Sequence, residues 1–252
     1  MTPPRDDVVI LGGGVIGLAT ALALIEAGRG VRVLEAGTAG CGASHGNCGT
    51  LTPSHAPPLA APGVVLKGLR WMFTPDAPLY LKPRFDPALW RWLLQFAARC
   101  NVSDWRQSTQ SRSIILDDSR QRLADWVGRY GLQCEFAEEG LDYVFREQAN
   151  FYHYVRECEA LREFGIASEL LAGADYVRGE PALKPGVVGA VRFPGDARLR
   201  PDRYVAELAR VVRERGGVIE EGCRVESLQP SVQGVSVQTS LGARSAKEAV
   251  IA

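Results

Sequence analysis

A glycine-rich turn between an apolar run and a helix constrains the fold of this chain more than any other feature. The apolar run Val8–Leu11 leads into the sequence GGGVIG at 12–17, and an alanine-rich helical segment follows it. A second apolar run, Val31–Leu34, ends at Glu35. The order of strand, glycine turn, helix, strand and carboxylate predicts a dinucleotide-binding unit instead of a purely structural turn.

Each glycine of the turn has its own physical role. Gly12 makes the tight turn, Gly14 lets the backbone approach a pyrophosphate, and Gly17 lets the helix lie close to the strand. The free N–H groups at the start of the helix receive the phosphate charge. Glu35 stands at the tip of the second strand, where a ribose diol needs an acceptor; the alternative is an ordinary solvated carboxylate.

The segment after Glu35 distinguishes between dinucleotides. Its glycines at 37, 40, 42, 46 and 49 make an early regular helix costly, whereas a nicotinamide-binding domain usually continues with a helix and a third strand. A backbone of this kind wraps closely around a long ligand, and Ser44 and Asn47 add hydrogen-bonding groups. We therefore expect FAD instead of NAD, with a flexible surface linker as the alternative.

Four short segments resemble a known family. They are GASHGNCG at 42–49, PPLAAPG at 57–63, KGLRWMF at 67–73 and RFPGD at 192–196. Together they are similar to the FAD-dependent D-amino-acid dehydrogenase small-subunit group of the D-amino-acid oxidase-like superfamily, and the resemblance covers nearly the whole chain. The Ala-Ser-x-x-Asn-x-Gly run and the Ala-Ala-Pro-Gly run carry it, because the glycine turn alone does not separate flavoenzyme families.

The resemblance implies a flavin-dependent oxidation of a D-amino acid to a 2-oxo acid and ammonia, with hydride transfer to flavin N5. It also implies a small amino-acid substrate and a respiratory electron acceptor instead of oxygen. No catalytic residue stands out, because positioning and polarisation are the main tasks of such a protein. The expected cofactor-binding residues, of which Val225 is placed beside the adenine by the resemblance, are Gly12, Gly14, Val15, Ile16, Gly17, Glu35, Ala36, Ala43, Ser44, Asn47, Gly49, Thr50, Leu51 and Val225.

The pattern along the chain predicts an α/β protein: a discontinuous FAD-binding Rossmann-like domain with an inserted α+β substrate-side domain. We expect domain segments at 6–57, 58–188 and 189–252. The inserted domain has helical sequence over 87–130, a hairpin formed by 133–136 and 141–145, and a helix over 148–164. A helix over 201–215 and a strand at 218–219 then return the chain to a parallel sheet.

The final apolar run, 249–252, ends without a polar tail, which predicts a chain that stops inside a strand. The resembled enzymes continue further and supply the arginine that pairs with the substrate carboxylate. The alternative function is therefore a truncated, catalytically inactive FAD-binding fragment. A nicotinamide-dependent dehydrogenase is a third hypothesis, which the glycine-rich segment after Glu35 argues against.

Composition and charge argue against nucleic-acid and metal partners. Lys plus Arg and Asp plus Glu number 29 each, so a formal net charge of zero gives no sign of nucleic-acid binding. The six cysteines lack metal-ligand spacing, which favours a reducing compartment and no metal. With neither a signal peptide nor a spanning segment in the sequence pattern, we expect a cytoplasmic protein.

A few side chains leave two interpretations open. Lys67, Arg70, Trp71 and Phe73 are typical either of peripheral contact with the inner membrane or of a short solvated helix. Three others, His45, His55 and Tyr143, are candidates for flavin or substrate contacts, against ordinary structural roles.

Overall fold

The computed structural model describes residues 6–72 and 84–252. Two segments are short 3₁₀ helices, Pro53–His55 and Arg162–Phe164. The remaining elements, in chain order, are β1 (Asp6–Leu11), α1 (Val15–Glu26), β2 (Val31–Leu34), β3 (Thr50–Leu51), α2 (Val64–Trp71), α3 (Pro87–Arg99), α4 (Val102–Tyr130), β4 (Leu141–Phe145), α5 (Gln148–Leu161), β5 (Glu169–Ala172), α6 (Gly173–Gly179), β6 (Gly189–Phe193), β7 (Ala197–Arg198), α7 (Pro201–Glu214), β8 (Val218–Glu220), β9 (Val225–Ser231), β10 (Gly234–Thr239) and β11 (Gly242–Ile251).

The chain folds into two compact units. The first unit contains the chain up to Thr50 together with Leu123–Ala137 and Arg198–Ala252, and the second contains Leu51–Arg122 and Glu138–Ala197. The predicted α/β class with a discontinuous parallel-sheet domain is confirmed. The predicted domain limits at 57 and 188 stay a prediction. The limits of the two compact units are a separate description, based on contacts within the structure.

The first unit is built on a six-stranded sheet in the order β8-β2-β1-β11-β10-β9. Strands β8, β2, β1 and β11 are parallel, and β11, β10 and β9 form an antiparallel meander. Because side chains alternate along β1, Val8 and Ile10 pack against the helices α1 and α7, whereas Val9 joins a core on the opposite face.

Helix α7 follows the expected amphipathic pattern. Pro201 occupies its first turn, where the missing N–H costs nothing, and the predicted inner face at Val205, Leu208, Ala209 and Val212 is buried. The strand β8 then pairs in parallel with β2, as predicted. This return brings Glu220 next to Glu35 at the end of β2, where the Glu35 N–H donates to the Glu220 carbonyl at 2.9 Å.

The second unit packs helices on a three-stranded antiparallel sheet in the order β4-β6-β5. Its core joins Val191 and Phe193 of β6 to Tyr143 of β4 and to Cys158 and Leu161 of α5. Helix α5 and the 3₁₀ turn after it end at Gly165, whose φ of 78° is the left-handed conformation that glycine favours.

The predicted hairpin over 133–145 is wrong. Strand β4 pairs with β6, and 133–136 is not a strand. The apolar side chains before Glu138 belong to a different core: Leu132 and Cys134 are buried with α1 and α7 in the first unit, and Phe136 packs against them. The two halves of the predicted hairpin therefore fold into different units. They do not pair because the apolar side chains of the first half are buried in the core of the first unit.

Candidate functional site

The glycine turn of the first unit has the close backbone packing that its sequence predicts. Gly12 has a φ of 114°, and its N–H donates to the Leu34 carbonyl at 2.9 Å. A Cβ added to Gly17 would lie 1.9 Å from the Gly12 carbonyl oxygen, a separation that no real side chain has. Only glycine at both positions lets α1 begin directly against the end of β1.

The start of α1 is capped from a distance. The N-cap residue Gly14 supplies no side-chain hydrogen bond, and the N–H of Val15 instead donates to Ser44 Oγ at 2.9 Å. A Cβ on Gly14 would lie 3.1 Å from that same oxygen, so a side chain at this position would crowd Ser44. A helix start with backbone N–H groups and the positive end of the helix dipole is an environment that binds an anion.

Glu35 lies beside the turn, as the sequence predicted. Its Oε2 accepts the Gly13 N–H at 2.7 Å, and its Oε1 accepts the Gly37 N–H at 2.8 Å. Each carboxylate oxygen keeps a second lone pair, which leaves capacity for two hydroxyl donors such as those of a ribose.

The loop after Glu35 is braced by its own side chains. Asn47 donates from Nδ2 to the Ser44 carbonyl at 3.1 Å and accepts the Gly49 N–H at 2.8 Å. Gly49 has a φ of 65°, and a Cβ there would lie 2.1 Å from the Leu199 carbonyl. Asn47 and Gly49 thus shape the loop, whereas Ser44 is the residue that joins the loop to the helix.

The remaining predicted residues are placed as follows. Ala36 is exposed next to Glu35, and Ile16 is 67% exposed at the helix start. Val225 begins β9, two residues after Cys223, whose N–H donates to the Glu35 carbonyl at 2.8 Å. Of the other four predicted residues, Val15 is the first residue of α1, Ala43 lies in the loop, and Thr50 and Leu51 form β3.

Two residues that shape the glycine turn and the loop after Glu35 were not predicted from the sequence. Gly13 holds Glu35 in place through its N–H, and a Cβ there would approach the Glu35 Cβ to 3.0 Å. Glu221, the residue that follows β8, accepts the Ala39 N–H at 2.8 Å and so fixes the loop. The run of three glycines could have indicated the role of Gly13. The role of Glu221 depends on a contact between distant segments, which no sequence pattern indicates.

A buried polar cluster lies in the second unit. The Asp196 carboxylate is 1% exposed and accepts the Ser54 N–H at 3.0 Å and the Ser54 hydroxyl at 2.6 Å. Its pKa is raised, mainly because burial disfavours the charged form. Tyr143 lies beside Ser54, and its phenol is hydrogen-bonded to Nε2 of His55. Both His55 and Tyr143 were candidates from the sequence.

A cavity of about 300 Å³ opens beside this cluster. Ser54 and Asp196 lie on one side of it, and Gln110, Ser113 and Asp117 of α4 lie on another. Ser113 donates its hydroxyl to the Gln110 carbonyl at 2.9 Å and therefore does not extend the hydrogen bonds of Asp196.

The parallel α/β fold of the first unit, with its glycine turn and Glu35, is that of a dinucleotide-binding protein. The family model described as FAD dependent oxidoreductase, DAO, matches residues 7–252, and the chain belongs to this family. The predicted cofactor class and the α/β flavoprotein fold are thereby confirmed.

Similar proteins agree with this family. A D-amino acid dehydrogenase of Granulibacter bethesdensis is 35% identical over 213 residues, which cover 83% of this chain and 51% of that protein. One from Methylobacterium nodulans is 32% identical over 240 residues, covering 93% and 57%. The resemblance inferred from the motifs is confirmed, and the chain spans about half the length of these curated relatives.

Solved structures share the fold. Glycine oxidase from Geobacillus kaustophilus superposes with a TM-score of 0.67 at 24% identity, covering 98% of this chain and 55% of that one. L-proline dehydrogenase from P. horikoshii gives 0.63 at 18% identity, covering 99% and 53%. At these identities the likeness supports the fold alone.

Proposed function

We propose that this chain binds FAD in its first unit and serves an oxidoreductase that converts the CH–NH₂ group of a D-amino acid to a 2-oxo acid and ammonia. The observation that carries the proposal is the convergence of Glu35 and Ser44 on the glycine turn, at 2.7 Å and 2.9 Å from its backbone N–H groups. The names of the curated relatives supply the substrate class.

The donor and acceptor groups suit the ADP half of such a cofactor. The N–H groups of the α1 start suit the phosphates, the Glu35 carboxylate suits a ribose diol, and the backbone at Val225 suits the adenine edge. The chemistry that bound FAD supplies is acceptance of a hydride at N5 from the substrate α carbon. The protein groups then have to hold the substrate, exclude water and manage its protons.

An absorbance experiment tests both halves of the proposal. We expect the purified chain, after incubation with FAD and gel filtration, to keep the oxidised-flavin bands, and we expect D-amino acids but not L-amino acids to bleach them anaerobically. Absence of bands after FAD addition contradicts the binding site. Bands that no D-amino acid bleaches contradict the activity.

A second candidate function is FAD binding without turnover by this chain alone. The observation that favours it is that the chain spans 51% and 57% of the length of the curated relatives. Stable flavin bands without bleaching would support this candidate over the first.

We also propose peripheral contact of α2 with an anionic membrane, where a respiratory acceptor would receive the electrons. Leu66 and Leu69 are 59% and 52% exposed, and Lys67 lies over the Trp71 ring at 5.2 Å from its centroid. Exposed apolar side chains next to cations are typical of interfacial helices. The predicted patch also included Phe73, which lies outside the described residues.

Sedimentation with vesicles containing anionic lipid tests this contact. We expect the unmodified chain to sediment and a Leu66→Gln, Leu69→Gln double variant to remain in solution, with neutral vesicles as the control. Within 6–72 and 84–252, no helix has the length and apolar character that crossing a bilayer requires. Equal sedimentation of both proteins would contradict the membrane contact.

A further inference from the structure

Asp196 is an unusual carboxylate for its surroundings. It follows β6 in the second unit, is 1% exposed, and takes both of its hydrogen bonds in the structure from Ser54. Burial raises its pKa, and the hydrogen bonds from Ser54, together with the attraction of His55 and Arg120, offset this only in part. A buried carboxyl with a raised pKa is better suited to accepting a proton near neutral pH than an exposed one.

Ser54 and Tyr143 connect this carboxylate to the surface. The Ser54 hydroxyl donates to Asp196 Oδ2 at 2.6 Å. Ser54 also interacts with the Tyr143 phenol, since a hydrogen bond between the two side chains opposes the rise that burial causes in the pKa of Tyr143. The Tyr143 phenol is in turn hydrogen-bonded to Nε2 of His55, which is an exposed residue. The sequence of contacts is continuous from an exposed imidazole to a buried carboxylate.

The members of this chain are held in place by packing. The Tyr143 ring lies 5.4 Å from the Tyr154 ring and meets the Phe193 ring edge-on at 5.5 Å. Arg112 of α4 donates to the His55 carbonyl at 3.3 Å. Fixed side chains of this kind keep donor and acceptor atoms aligned, which proton transfer requires.

We propose that His55, Tyr143 and Ser54 form a proton relay that ends on Asp196 and takes up the proton lost when a substrate ammonium group becomes a neutral amine. The ammonium part of this inference rests on the proposed amino-acid oxidation. The relay itself rests only on contacts within the second unit.

The transfer balances in protons and charge. The proposed transfer starts with an ionised Asp196 that accepts from Ser54, while Tyr143 donates to Ser54 and the Nε2 hydrogen of His55 is donated to Tyr143. A proton that arrives on Nδ1 of His55 moves each hydrogen one position inward, so that Nε2 releases its hydrogen to Tyr143 and Asp196 becomes neutral. No electrons move, and the substrate nitrogen gains the lone pair that forming a carbon–nitrogen double bond requires.

Other charged and titratable groups face Asp196 from the packed elements. Arg120 of α4 favours its ionised form, and Tyr143 of β4 carries a raised pKa, mainly through burial and also through the negative charge of Asp196. Tyr154 and Cys158 of α5 likewise have raised pKa values, chiefly because they are buried. These phenols and this thiol hold their protons more firmly than usual, so the Asp196 carboxylate is the group among them that can accept one.

Phenol titration tests the relay without any turnover. The absorbance of ionised tyrosine is followed against pH in the unmodified protein, and a Tyr143→Phe variant identifies the component due to Tyr143. We expect Asp196→Asn to lower the pKa of Tyr143, because it removes a negative charge, and Ser54→Ala to shift it as well, because the phenol loses a hydrogen-bond partner. If neither variant shifts that component, the relay is refuted.

The pH dependence of flavin reduction tests the role of the relay in the FAD-loaded protein. We expect Tyr143→Phe and Ser54→Ala to slow reduction by a D-amino acid about a hundredfold at neutral pH. At alkaline pH, where the substrate amine is already neutral, their rates should approach that of the unmodified protein. Ser113→Ala, which removes a hydroxyl from the same cavity but not from the relay, should keep the unmodified rate.

The outcomes separate the two proposals. A loss of rate that persists at alkaline pH contradicts proton uptake by the relay and indicates a structural role. Failure of the unmodified protein to reduce flavin with any D-amino acid overturns the proposed activity and the ammonium assignment with it, while the phenol titrations still decide whether the relay exists.

Discussion

Replacing Gly17 by alanine should separate α1 from the turn that precedes it. The new Cβ would lie 1.9 Å from the Gly12 carbonyl oxygen and 3.0 Å from the Gly12 carbonyl carbon, both backbone atoms that cannot rotate away. The helix start must therefore shift by more than about 1 Å, a displacement that close-packed interiors resist.

The expected cost follows from two opposing effects. Overpacking of this kind costs about 3 kcal/mol at its upper range, and alanine in place of glycine inside a helix regains about 1 kcal/mol. The net loss of about 2 kcal/mol corresponds to a melting temperature lower by about 4–8 °C for a chain of this size. FAD binding should suffer more, because the N–H groups that face the phosphates move with the helix.

Thermal unfolding followed by circular dichroism, with and without saturating FAD, measures both effects. The matched control is Gly46→Ala in the neighbouring loop, since a Cβ there meets nothing within 4 Å. We expect the control to have the melting temperature of the unmodified protein and the same increase with FAD. Gly17→Ala should have a lower melting temperature and no increase with FAD. A Gly17→Ala protein with unchanged stability and FAD affinity would refute the reasoning about the turn.

Three further predictions concern single side chains. Glu35→Gln should weaken FAD binding about tenfold, since an amide has one acceptor where the carboxylate has two; an unchanged dissociation constant in calorimetry would contradict the ribose assignment. Ser44→Ala should cost about 1 kcal/mol by removing the acceptor of the Val15 N–H, and a melting temperature equal to that of the unmodified protein would argue against the remote cap. The Arg192 guanidinium beside Asp142 holds the pKa of that carboxyl below its ordinary value, so its stabilisation is complete above the ordinary pKa and is lost as pH falls through the folded one. Asp142→Asn should therefore flatten the loss of unfolding free energy between about pH 5 and pH 2 in urea titrations, and an equally steep loss would exclude this ion pair as the cause.

The part of the fold that could be predicted from sequence depends on neighbours in the chain. The β1 strand, the glycine turn, α1 and Glu35 lie within 6–35, and their pattern fixes both their order and their contacts. Helix α7 and strand β8 were predicted in the same way from an amphipathic repeat followed by glycines. In each case a local preference and the final packing agree.

Pairings between distant segments were not predictable. Strand β4 pairs with β6, and the segment before β4 is buried in the other unit, so two adjacent apolar runs gave a false hairpin. The contact between Ser54 and Asp196 joins positions 142 residues apart, and neither residue type signals the other. Exposure is not predictable from residue type either: Trp90 and Trp92 of α3 are large and apolar, yet they are 52% and 56% exposed.

The remote cap of α1 means that side chains of the protein already use hydrogen-bonding groups of the glycine turn. Ser44 and Glu35 already hold the backbone N–H groups of Val15 and Gly13 that an incoming phosphate or hydroxyl would contact. A phosphate that takes the Val15 N–H exchanges a neutral acceptor for an anionic one, and the number of hydrogen bonds stays constant. Ligand capture at this position is then a swap of acceptors, which frees the Ser44 hydroxyl to turn and donate to the same phosphate.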